Sequence, residues 1–310
     1  MSHEARRTSW ARRICYERRV DVVAGESIVA RLEREEVGVF NRRFVVRLAD
    51  GAAVEAVLYR GDTLCVSSQV GCAVGCPFCA SGANGLQRPL GLEELRAQVE
   101  LVRELAPSLV RVTVSGVGEP LHAPDVPRFV SWARELGLGV SLTTSGGPLG
   151  RLRTFLREVP HRGLTISVHA GTEPTRARLV PKGPPLHALF DTLREELPSL
   201  TRARRKKLAL AYLMLAGDND GKDELDAFAA RVSELERATT PEGHAFVPIA
   251  VHLYAYNPVD TSSARPVTRA AYEAAYERLV AQGLRVRMSS RARVEANGGC
   301  GTLVAVRASR

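Results

Sequence analysis

The sequence predicts an α/β protein: a parallel sheet with helices outside it, entered through a small antiparallel β element. Three observations carry this. From Leu64 to Gln282, short β-branched runs alternate six times with amphipathic helical stretches, the pattern of strand, crossover helix and parallel strand. Residues 20–60 instead alternate apolar and polar side chains in two runs around Asp50-Gly51, which reads as a hairpin. The 310 residues are 45% hydrophobic, enough for a packed core, and no apolar run approaches the length of a membrane span.

Taken in order, residues 1–19 are a basic segment with Arg6, Arg7, Arg12, Arg13, Arg18 and Arg19 near Trp10 and Tyr16. Such a stretch suits phosphates and bases, or a solvated tail. Residues 20–60 form the β element, with Phe44-Val45-Val46-Arg47-Leu48 and Ala53-Val54-Glu55-Ala56-Val57-Leu58 as its strands. Residues 61–310 form the main unit. Its strands are expected at Leu64 to Ser67, Val110 to Ser115, Val140 to Thr144, Leu164 to Val168, Leu208 to Leu215 and Ile249 to Tyr254. Helices are expected at Leu92 to Leu105, Val126 to Leu136, Leu149 to Val159, Leu186 to Leu197, Lys222 to Leu235 and Arg269 to Gln282. Ligands of parallel α/β folds gather at the carboxyl ends of the strands. A net charge of +9 points to anionic partners, and six cysteines without a signal peptide or a paired framework point to a reducing cytoplasm.

Chemistry concentrates between Cys65 and Arg88. Cys72, Cys76 and Cys79 stand at C-x3-C-x2-C spacing, so one loop can aim three thiolates at a common point. Three is one short of the four that a closed zinc site or an ordinary 4Fe-4S cluster takes from protein. Either an open position remains for a substrate, or Cys65, Cys300 or Cys15 closes a structural zinc site.

The stretch CVSSQVGC followed by x3-C-x2-C resembles the cluster loop of radical S-adenosylmethionine enzymes, specifically the RlmN/Cfr family of adenine methyltransferases. The resemblance continues through Gly116-Val117-Gly118-Glu119-Pro120, Thr144-Ser145-Gly146, Ser167-Val168-His169-Ala170, Gly217-Asp218-Asn219-Asp220, Tyr256-Asn257-Pro258 and Cys300-Gly301, all in family order. It covers residues 45 to 306 and implies an incomplete (βα)6 barrel of TIM-like type.

By the same resemblance, Cys72, Cys76 and Cys79 hold a 4Fe-4S cluster whose fourth iron binds S-adenosylmethionine, used twice per turnover. Gly118, Glu119, Ser145, Ser167, His169 and Asn257 are the implied cofactor-binding set. Cys300 is implied to carry the methyl group and Cys65 to release the product through a disulfide with Cys300, one thiol to carry carbon and another to free it. Glu55 matches a glutamate that serves the adenine proton. The implied reaction is methylation of an adenine in ribosomal or transfer RNA, at carbon 2 ahead of carbon 8, with an electron donor such as flavodoxin or ferredoxin, in a monomer without a membrane partner. Where the family carries a helical amino-terminal domain before the β element, only the arginine-rich residues 1–19 stand here, so a small-molecule or peptide acceptor is the first alternative. A zinc-stabilised RNA-binding protein is the second.

Overall fold

The computed structural model of the protein describes residues 14–16, 20–24, 27–238, 247–295, 298–299 and 301–305. Most of the arginine-rich segment and Cys300 therefore lie outside the described residues. The first strands are β1 (Ile14–Tyr16), β2 (Val20–Ala24), β3 (Ser27–Val37), β4 (Asn41–Leu48) and β5 (Ala53–Tyr59). The hairpin expected at Asp50-Gly51 joins β4 to β5: Gly51 takes φ +85°, Leu48 N donates to Ala52 O at 2.7 Å, and Ala52 N donates to Asp50 Oδ1. Glycine accepts that left-handed conformation without a Cβ clash.

These strands form no separate layer. β5 pairs antiparallel with β6 (Thr63–Val66), and β6 opens the parallel part of the same sheet. There follow a two-stranded ribbon of β7 (Gln69–Gly71) and β8 (Leu86–Pro89), then β9 (Arg111–Val114), β10 (Gly139–Thr144), β11 (Gly163–Ser167), β12 (Leu208–Met214), β13 (Ala250–Ala255) and β14 (Arg285–Met288). The order β6-β9-β10-β11-β12-β13-β14 is parallel throughout, so the described residues contain seven parallel strands where six are expected. The addition is β14, whose Arg-Val-Arg-Met is too short and too charged to stand out as a strand. Within the parallel row every residue of β12 is buried, as a strand covered on both faces requires.

The helices are α1 (Leu92–Leu105), α2 (Val126–Glu135), α3 (Leu149–Arg157), α4 (Glu173–Leu179), α5 (Leu186–Glu196), α6 (Arg202–Arg205), α7 (Lys222–Ala238) and α8 (Arg269–Ala281). Six fall within a few residues of their expected spans, and the short α4 and α6 are additions. α1 shows how the sequence sets them. Glu94 reaches back to accept from Gly91 N at 2.8 Å, closing the first turn. Leu92, Leu95, Val99 and Val102 then recur on one buried face. A fully buried leucine such as Leu95 contributes about 2 kcal/mol. No described helix is long and apolar enough to cross a membrane.

Candidate active site

The three-cysteine loop is bracketed by the β7–β8 ribbon and turns back tightly. Gly71 sits at φ +82°, and a Cβ there would stand 1.9 Å from Gly85 O. Cys72 N donates to Gly85 O at 3.2 Å, and Cys79 N to Cys76 O at 3.1 Å. Cys72, Cys76 and Cys79 all face one cavity, against an apolar wall of Val74, Phe78, Leu179 and Val180. Burial pushes the Cys72 thiol up to about 12 and the Cys76 thiol well above its ordinary value, the neighbouring thiols adding to both. Three neighbouring half-buried thiols repel one another once ionised, so they need positive charge to become ligands, and an iron-sulfur cluster would supply it as protons leave. The donor set fits such a cluster.

The carboxyl ends of β9, β10 and β11 form the opposite wall. Buried Glu119 receives Ser145 N on Oε2 at 2.7 Å, and Leu121 N and the Thr144 hydroxyl on Oε1. With two lone pairs per oxygen, Oε2 keeps one acceptor position open, and Glu119 lines the cavity. Ser145 Oγ is buried on that wall without a protein partner, and Ser167 lines it from β11. Gly118 is a glycine because of the protein's own packing: at φ +113°, a Cβ would meet Gln69 and the Ser68 hydroxyl at 2.7 Å.

His169 also lines the cavity, in the left-handed region at φ +59°. Its Nδ1 accepts from Leu213 N at 3.0 Å, so the neutral ring carries its proton on Nε2. Burial, helped by Arg176, lowers its pKa to about 3. Asparagine tolerates that backbone and can present an acceptor near Nδ1; alanine does neither. His169→Asn is therefore expected to be the milder change. His169→Ala leaves Leu213 N unsatisfied and costs about 1–3 kcal/mol more in denaturant unfolding. Because the folded pKa is depressed, the stability linked to this group is present above pH 6.5 and is lost as pH falls toward 3. Its share, up to about 1.4 kcal/mol per pH unit, vanishes from the pH profile of either variant.

A second cavity shares Phe78, Cys79, Ser115, Thr143, Ser167 and His169 with the first and continues to Tyr254, Tyr256, Arg293 and Gly301. The C-terminal segment closes it. Ala80 N donates to Gly301 O at 3.0 Å, Ser81 Oγ to Leu303 O at 2.8 Å, and Tyr59 Oη to Gly298 O at 3.0 Å. A Cβ on Gly298 would press into Val57 at 2.8 Å, and Val57 is the β5 partner of Cys65. Cys65 itself is 2% exposed, its Sγ 3.3 Å from the hydroxyl of Ser115. Cys65 therefore stands one side chain behind the wall of both cavities.

Two expected residues stand off the cavity walls. Glu55 is buried on β5, where Oε2 accepts from Val304 N at 3.0 Å and Oε1 lies 3.4 Å from Arg43; burial raises its pKa despite that cation. Asn257 donates to Arg293 O at 2.7 Å and packs under Gly299. Both brace the C-terminal segment.

Sequence reasoning missed Ser115 and Arg176. Arg176, 1% exposed, donates to Ser145 O and Ser167 O at 2.6 Å, Val168 O at 3.0 Å and Pro184 O at 3.1 Å, tying two strand ends together behind the serines. Its pKa falls to about 10 through burial, so it keeps its charge at neutral pH. Nothing local distinguishes it from Arg178, which pairs with Asp218 at the surface.

Three thiols on one loop, facing polar strand ends across the mouth of a parallel sheet, are the features of a radical S-adenosylmethionine protein, and the Radical SAM superfamily model matches residues 66–231. A radical SAM methyltransferase from Sphaerobacter thermophilus superposes with a TM-score of 0.74 at 27% identity, over 88% of this chain and 81% of that one. A probable dual-specificity RNA methyltransferase RlmN from Rhodopirellula baltica is 32% identical over 84% of this chain and 70% of its own length. The dual-specificity RNA methyltransferase RlmN of Sorangium cellulosum is 31% identical over 88% and 78%. The chain belongs to the RlmN family of radical SAM methyltransferases, and membership implies a 4Fe-4S cluster and S-adenosylmethionine.

Proposed function

We propose that this protein methylates an adenine of ribosomal or transfer RNA, at carbon 2, with Cys300 as methyl carrier and Cys65 as resolving thiol. The observation that carries the reading is the seat of the segment around residue 300. Gly301 lines a cavity with Cys79 and Ser115, while Gly298 packs against the strand partner of Cys65. A flavodoxin- or ferredoxin-type protein would be the electron donor to the group that Cys72, Cys76 and Cys79 would hold. When bound, the cluster and S-adenosylmethionine supply both the methyl group and the radical that activates it, with two cofactor molecules consumed per turnover.

The chain's own residues divide the remaining work. Cys72, Cys76 and Cys79 hold the cluster, and the hydrophobic wall keeps water from it. The open lone pair of Glu119 Oε2 takes the cofactor ammonium, while Ser145 Oγ, the Ser167 hydroxyl and His169 Nε2–H face its carboxylate and ribose. Gly118 holds Glu119 in register, and Asn257 holds the C-terminal segment against Arg293. The Cys300 thiolate takes the methyl carbon, breaking the sulfonium carbon–sulfur bond. After the carbon joins adenine, the Cys65 thiolate attacks the Cys300 sulfur, forming a Cys65–Cys300 disulfide as the sulfur–carbon bond breaks; the carbon takes a proton and leaves as the methyl group, and an external thiol reductant returns the disulfide to two thiols. Glu55 accepts from Val304 N and so holds the C-terminal segment in place, and the family match assigns it the adenine ring proton, a role that would need its carboxyl to leave Val304.

Nucleoside mass spectrometry of bulk RNA incubated with reconstituted enzyme, a reductant and S-adenosylmethionine tests this. New 2-methyladenosine is expected. Unchanged RNA rejects the reading.

A further inference from the structure

Beyond the cluster and its cofactor, one wall of the molecule has the chemistry of a nucleic-acid track. The edge strand β14 pairs with β13 in the register Ala250↔Arg285, Val251↔Val286, His252↔Arg287 and Leu253↔Met288. Registered partners share a face. On β13 the face of His252 and Tyr254 is the cavity side, because Tyr254 lines the second cavity, while Val251 and Leu253 are buried on the other. Arg285 and Arg287 are therefore on the cavity side of the last strand, and both are exposed. The chain continues through exposed Arg291 to Arg293, whose guanidinium lies over the Tyr254 ring at 5.4 Å on the cavity wall. Tyr256 adds a buried hydroxyl without a protein partner at the same wall.

Among the described residues, Arg285, Arg287 and Arg291 make no ion pair, in a molecule where many surface arginines do. Glu295 is occupied instead, accepting from Val39 N and Phe40 N. Between the arginines His252 stays neutral, its pKa lowered to about 4 by burial, Arg293 and Arg287. Charge on an edge strand also discourages sheet-to-sheet association. That need is met by charge of either sign and gives no reason for the row to end on an aromatic ring at the cavity mouth.

We propose that the cavity face of β14 is the track on which single-stranded RNA approaches the site. Arg285 and Arg287 take two successive phosphates, and the Tyr254 ring capped by Arg293 is the platform on which a base beside the acceptor stacks. Residues two apart on a strand stand about 6.6 Å apart, the scale of neighbouring phosphates in an extended strand. Stacking on an aromatic ring under a guanidinium holds any base, which leaves selection of the adenine to the cavity. This inference rests on the RNA reading above.

The test is binding of single-stranded RNA to the cluster-loaded protein over a range of salt. Arg285→Gln/Arg287→Gln is expected to lower the slope of log affinity against log salt by about 1.4, at about 0.7 per phosphate lost from a single strand, with iron content unchanged. Tyr254→Ala is expected to weaken binding about tenfold at every salt concentration with the slope intact, and Tyr254→Phe to restore it. An unchanged slope in the double variant overturns the track, as does an unchanged slope accompanied by new light scattering, which marks the edge charge as protection against association. If the wild-type protein binds no RNA at all, the RNA reading falls and the track with it. If the wild type binds and only the slope fails to respond, the track alone falls.

Discussion

Cys300→Ala is expected to reduce methylated adenine by at least about a thousandfold, to background, while iron content and reductive cleavage of S-adenosylmethionine persist. The cut is this deep because alanine offers no nucleophile, and losing a covalent carrier forfeits the whole route rather than one contact. Cleavage persists because the cluster ligands, Glu119, Ser145 and Ser167 belong to the loop and strand ends, whose hydrogen bonds run to one another and to Arg176. The neighbouring segment holds its place through backbone atoms at Gly298, Gly301 and Leu303, which the substitution leaves intact. Liquid chromatography of 5′-deoxyadenosine and 2-methyladenosine from one reaction separates the two activities. Methylation at the wild-type rate removes Cys300 from the mechanism.

Cys65→Ala is expected to convert a turning-over enzyme into one that captures its substrate, accumulating close to one covalent RNA–protein adduct per chain. With Cys300 bonded through carbon to the base, release needs a second sulfur within reach. Cys65 is buried one side chain from the cavity, beside the Ser115 hydroxyl that lines it. The substitution removes a single sulfur from a packed strand, a void costing about 1 kcal/mol, so the fold survives. Cys65→Ser keeps the volume without the redox chemistry and is expected to trap RNA equally. A slowly migrating band on a denaturing gel that RNase sharpens is the readout. Normal turnover without an adduct rejects the two-thiol route.

What is legible in the sequence without a family resemblance is the chemistry that is local. C-x3-C-x2-C marks a ligand loop by spacing alone, and Asp50-Gly51 marks a hairpin because the turn demands a left-handed residue. α1, α2, α3, α5, α7 and α8 were visible through the apolar face each buries. Less legible were the elements whose identity depends on neighbours. β14 pairs because β13 offers a free edge, and its arginines conceal it. Arg176 cannot be told from Arg178 along the chain; only the fold gives one four carbonyls and the other a surface aspartate.

Glu55 and Asn257 show the same limit from the other side. Their motifs were readable, yet the structure sets both under the C-terminal segment, a contact across more than two hundred residues for Glu55. The sequence by itself determined the α/β class, the succession of strands and helices, and a three-thiol ligand loop, because periodicity and ligand spacing act over a few residues. Tertiary structure alone decided that Cys65 backs the cavity through Ser115, that Glu119 keeps one lone pair open, and that β14 turns arginines toward the mouth. Each of these depends on register between distant strands, where a shift of one residue would reverse every side chain.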